Sequence, residues 1–155
     1  MGCMDTDNPL LQVTEIELVY RNKVKGSDRI KVANAAAAYD VFMANWNMDT
    51  IELVEEFKVL LLNRNNRVLG LVPIFMGGIT CVVVDVRLVM ATALKAAATG
   101  FICCHNHPSG NFINPSKHDK EFTKKLQQAG ELLDIQLIDH LIITKEGYCS
   151  IEDHF

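Results

Sequence analysis

The chain has 155 residues, enough for one domain with a core of its own. Its composition, 49% hydrophobic and 22% charged, is that of a globular protein and excludes the disordered and fibrous classes. A formal net charge of −4 argues against a general duplex-DNA binder, which draws its affinity from a basic face.

Residues 1–10 read as a tail, and LQVTEIELVYR over 11–21 alternates like a first strand. After a polar loop, Ser27 or Asp28 is placed to cap a helix from about Ile30 to Asn45 through an alanine-rich stretch. Residues 51–62 (IELVEEFKVLLL) predict a strand. Asn63 to Asn66 predict a turn, and Arg67 to Phe75 the returning strand of a hairpin. A short strand is expected over Thr80–Val84, then a helix capped by Asp85, running through Ala98 and ended by Gly100. The apolar run Phe101 to Cys104 has the character of a strand buried on both faces. A loop from His105 to Pro115 follows, then a helix over Lys117–Leu133 opened by Ser116. Residues 135–144 predict a strand that turns at Lys145–Gly147 and returns from Tyr148 to Ile151. The sum is an α/β domain over residues 31–155, with a mixed, largely antiparallel sheet flanked by helices; residues 1–30 form an extension.

The five cysteines include no CxxC pair, which speaks against a disulfide framework or a thiolate zinc ribbon and for a reducing, cytoplasmic setting. No apolar run reaches ~18 residues, so no membrane span is predicted. The start, MGCMDTDNPL, lacks the basic and apolar stretches of a signal peptide.

The informative segment is His105-Asn106-His107-Pro108-Ser109-Gly110, followed by Pro115-Ser116-Lys117-His118-Asp119. In extended backbone, residues two apart point the same way, so His105 and His107 can converge on one cation. Asp119 falls on the first turn of the following helix, within reach if the loop folds back. Two histidines and a carboxylate, with a fourth position left for water, make the donor set of a catalytic zinc. Such a site needs a carboxylate to carry the proton. Glu55 and Glu56 are the candidates. Alternation sets Glu55 on a face with Phe57, Val59 and Leu61, and puts Glu56 and Lys58 on a face expected to meet solvent. Glu55 is therefore the inward one, with Glu56 the alternative. Ser116 is placed either to donate to a developing oxyanion or to cap the helix.

Glu55, His105-x-His107 and Ser116-x-x-Asp119 together resemble the JAMM (MPN-type) metalloprotease motif, and HNHPSG followed by PSxxD resembles its RadC-like branch. The similarity runs from roughly Glu52 to Ile151, through EEFKVLLLNRNNRVLG and GELLDIQLIDHLIIT. It implies the JAB/MPN fold, a cytidine-deaminase-like mixed sheet flanked by helices. It also implies a zinc-dependent hydrolase of amide or isopeptide bonds, in a family associated with DNA repair. Carried over, His105, His107 and Asp119 would hold one Zn²⁺ per chain. Glu55 would be the general acid/base and Ser116 the oxyanion-side donor. The eight residues Pro108 to Pro115 are one more than relatives of this kind usually have, placing an extra loop residue within Asn111–Asn114.

The remaining polar residues read more plainly. His118 is expected in solvent on the helix, His140 as a packed, hydrogen-bonded histidine in an apolar strand, and Asn106 and Ser109 as loop-shaping. The tripeptide His-Asn-His is not an HNH nuclease, whose named residues are dispersed, and the deaminase HxE…PCxxC signature is absent. The second class to weigh is a metal-bearing scaffold or DNA-associated module without hydrolysis. The sequence names no substrate beyond a peptide or isopeptide, and no oligomeric state.

Overall fold

The computed structural model describes residues 21, 23–77, 84–111, 114–153 and 155. The strands expected over 11–21 and Thr80–Val84 lie, apart from Arg21 and Val84, outside these residues.

Five strands form one sheet in the order β2-β1-β3-β4-β5: β1 (Glu56–Leu62), β2 (Val68–Met76), β3 (Gly100–Asn106), β4 (Gln136–Ile143) and β5 (Tyr148–Asp153). Every neighbouring pair is antiparallel except β3 and β4, which run parallel and are joined by helix α3 (Lys117–Leu132). Helix α1 (Ala35–Ala44) covers one face of the sheet; α2 (Val86–Lys95) and α3 cover the other.

The strands sort their side chains by alternation. Phe57, Val59, Leu61, Phe101 and Cys103 pack with Val89, Ala93 and Leu126 under α2 and α3. Leu60, Leu62, Ile102 and Cys104 pack with Ala38, Phe42 and Trp46 under α1. β1 and β3 are thus buried along their whole length, as central strands with both faces covered must be.

Several boundaries differ from expectation, each for a local reason. The first helix starts at Ala35, capped by the Asn34 side chain, which accepts from the Ala37 amide at 2.9 Å. Residues 30–32 are held instead by the hairpin: Val32 N–H donates to Asn66 and Val68 N–H to Ile30. Ladder bonds there outweigh helical propensity. Residues 47–54 are turns rather than strand, so β1 begins at Glu56. The second helix is capped by Asp85, as expected, but stops at Lys95; Ala97 takes the left-handed turn and Gly100 opens β3.

Gly130, near the end of α3, accepts a hydrogen bond from Ile135 N–H at 2.9 Å where the chain folds back into β4. A Cβ there would collide with the Ile135 carbonyl oxygen and lie 3.2 Å from the Phe101 ring. Gly130→Ala is therefore expected to destabilise the fold by about 2–3 kcal/mol, against the small gain alanine usually brings to a helix. Urea unfolding measures this, and an unchanged midpoint would show that the turn yields without cost.

Candidate metal centre

The site forms at the end of β3, where the strand runs out over the start of α3. Alternation along β3 decides the roles. His105 lies on the α3 side, Asn106 on the α1 side, and His107, just past the strand, returns to the α3 side. Phe57, the partner of His105 in the β1 register, lies against its ring at 6.4 Å between centroids.

His105 Nε2 lies 3.0 Å from His107 Nε2 and 3.3 Å from Asp119 Oδ1, and His107 Nε2 lies 3.9 Å from Asp119 Oδ2. Donor atoms about 2.0–2.1 Å from a tetrahedral zinc sit roughly 3.3 Å from one another. The separations and the donor chemistry therefore fit a divalent ion. The Asn111 carbonyl, which can only accept, receives a hydrogen bond from His107 Nδ1–H, so in the neutral ring Nε2 is the bare nitrogen.

Asp119 owes its position to the helix start. Ser116 Oγ accepts from Asp119 N–H at 3.1 Å, while Asp119 Oδ2 accepts from Ser116 N–H at 2.8 Å, a reciprocal capping box. Burial pushes the Asp119 carboxyl up, but hydrogen bonds from His105 and Ser116 outweigh it and hold the group well below the ordinary carboxylate range. Asp119 is thus an anion facing two imidazoles. The helix keeps its cap despite the longer loop; of the four positions expected to hold the extra residue, Phe112 and Ile113 lie outside the described residues.

Glu55 sits just ahead of β1, half-buried, and its carboxylate comes within 4.8 Å of ligand atoms on both His105 and His107. Asn106 holds that segment in place. Its buried side chain donates to the carbonyls of Ile51 (2.6 Å) and Val54 (2.9 Å) and accepts from Glu56 N–H at 2.7 Å, bracketing Glu55. The loop-shaping role expected of Asn106 is thus a clamp on the segment that carries Glu55.

The face expected to meet solvent does not. Glu56 and Lys58 are only 4% and 6% exposed. They pair at 3.3 Å under the end of α1, where Lys58 also donates to the Asn45 carbonyl and lies 4.2 Å over the Trp46 ring, and Thr50 donates to Glu56. A buried charge needs partners, and each of these has them. Glu56 is occupied there, on the far side of the sheet from the histidines.

His118 is exposed. His140 is buried, with Nε2 2.9 Å from His105 Nδ1 and Nδ1 2.6 Å from Thr123 Oγ1. Burial, reinforced by His105, lowers its pKa well below the ordinary range, so the ring is neutral. Sequence reasoning found the histidine but not Thr123, one helical turn past Asp119.

Among the described residues no helix is long and apolar enough to cross a membrane. Residues 32–154 match the family described as "RadC-like JAB domain". A "UPF0758 protein" of Flavobacterium johnsoniae is 43% identical over 141 residues, covering 91% of this chain and 60% of the relative. One of Bacillus pumilus is 30% identical over 171 residues, covering 97% and 76%. One of Clostridium botulinum is 39% identical over 99 residues, covering 64% and 43%. The chain thus spans only part of the length of these relatives.

Proposed function

The chain belongs to the family of RadC-like JAB domains, and from that premise we propose that it is a zinc-dependent hydrolase of amide or isopeptide bonds. The observation that carries this reading is the meeting, at 3.0–3.9 Å, of two imidazoles and an anionic carboxylate beside a second, half-buried carboxylate. His105, His107 and Asp119 would hold the ion. Its chemistry, when bound, is to acidify a water and polarise the scissile carbonyl.

Glu55 accepts the proton of the attacking water and delivers it to the departing amine, so that amide and water become carboxylic acid and amine. Ser116 Oγ is an acceptor in the capping box, which leaves its own hydrogen to donate to the oxyanion. The substrate is a peptide or an isopeptide, met in the cytoplasm, where the buried thiols of Cys103 and Cys104 stay reduced. With a net charge of −4, duplex DNA is not the proposed ligand.

Metal analysis of the purified protein is expected to find about one zinc per chain, absent from His107→Ala. The zinc-loaded protein, incubated in ¹⁸O water with libraries of peptides and of lysine-isopeptide conjugates, should place one ¹⁸O in each new carboxylate. Zinc bound without cleavage in either library would replace the hydrolase with a metal-bearing scaffold.

A further inference from the structure

The proposed zinc site leaves open what makes His105 present a bare Nε2. The answer lies behind it. His105, His140 and Thr123 form a buried chain of hydrogen bonds: Nδ1 to Nε2 at 2.9 Å, then Nδ1 to Oγ1 at 2.6 Å. Thr123 Oγ1 is also 2.7 Å from the Asp119 carbonyl, to which it can donate. A neutral imidazole has one N–H, and a hydroxyl has one hydrogen and spare lone pairs. The chain can therefore be satisfied in only two directions.

In the first, Thr123 O–H donates to His140 Nδ1, His140 Nε2–H donates to His105 Nδ1, and His105 Nε2–H faces two acceptors, Asp119 Oδ1 at 3.3 Å and His107 Nε2 at 3.0 Å. Every group is paired, but His105 has no lone pair for a cation. In the second, Thr123 O–H donates to the Asp119 carbonyl and its oxygen accepts from His140 Nδ1–H. His140 Nε2 then accepts from His105 Nδ1–H. His105 Nε2 is now bare and faces the bare His107 Nε2. Two lone pairs so close repel unless a cation lies between them. For neutral rings the two arrangements differ only in which nitrogen carries the hydrogen.

We propose that Thr123 and His140 are positioning residues that set the tautomer of His105, with Thr123 the pivot of a relay that reverses when a divalent cation binds. The hydroxyl is what the pivot requires, because it alone can be donor in one state and acceptor in the other. The proposal rests on the reading of His105 as a ligand but not on hydrolysis.

The test uses the full chain, ¹⁵N-labelled at histidine, with long-range ¹H–¹⁵N spectra recorded metal-free and with zinc. His140 is expected as the Nε2–H tautomer without metal and as Nδ1–H with it. Zinc affinity, measured by competition with a chromophoric chelator, should fall about 10–100-fold in Thr123→Val and recover in Thr123→Ser. A single His140 tautomer in both states, or a folded Thr123→Val that binds zinc like the wild type, would overturn the relay. Should Thr123→Val fail to fold, the wild-type tautomers alone decide. A zinc-loaded protein that cleaves nothing defeats the hydrolase reading and leaves this result untouched. A protein that takes up no zinc defeats both.

Discussion

Glu55→Gln is expected to keep about one zinc per chain and to lower hydrolysis about 10²–10⁴-fold, the usual contribution of a positioned acid/base. The amide has the shape of the carboxylate but cannot take up the water's proton. The geometry makes the variant doubly informative, because Glu55 comes within 4.8 Å of ligand atoms on both His105 and His107. If Glu55 rather than Asp119 completed the ligand set, Glu55→Gln would lose the metal and Asp119→Asn would keep it. Two features favour Asp119 as ligand: its oxygens lie 3.3 and 3.9 Å from the two imidazole Nε2 atoms, and a capping box fixes its carboxylate. Metal content and turnover, measured on both variants, separate the assignments.

Asn106→Ala is expected to cost about 3–5 kcal/mol of stability. The substitution leaves the carbonyls of Ile51 and Val54 and the amide of Glu56 without their partner, and each buried group so stranded costs about 1–3 kcal/mol, partly recovered if water enters. The effect reaches the site as well, since these bonds bracket Glu55. At low temperature the variant should still bind zinc, whose proposed ligands it does not touch, while turnover falls. Urea unfolding gives the first number and metal content the second. A loss below about 1 kcal/mol would mean that the segment is held by its apolar contacts alone.

Much of this was legible in local chemistry. The apolar run Phe101 to Cys104 announces a buried strand, Asp85 and Ser116 announce helix starts, and the histidine pair with its downstream Ser-x-x-Asp announces side chains that meet in space. Three things were not. The polar pair Glu56 and Lys58 looks like a solvated strand face because alternation assumes one wet side, yet β1 is central and covered on both sides. The further partners of the pair come from Asn45, Trp46 and Thr50, in the segment that follows α1. Likewise Ile30 to Val32 had a helical neighbourhood, but a hairpin beginning more than twenty residues later claimed its backbone hydrogen bonds. Thr123 belongs with these: its role exists only once β4 delivers His140 to it. What escaped the sequence is in each case a partner that another element supplies.

The donors come from different elements: Glu55 from the approach to β1, His105 and His107 from the end of β3, Asp119 from the first turn of α3. An unfolded chain has no such meeting point. Ion binding and folding are therefore thermodynamically linked: an ion that binds the native state and not the unfolded one, at a hundred times its dissociation constant, adds about 2.7 kcal/mol to the stability of the whole domain. The cellular supply of such an ion would then help to set how much of this protein survives proteolysis, quite apart from the proposed hydrolysis.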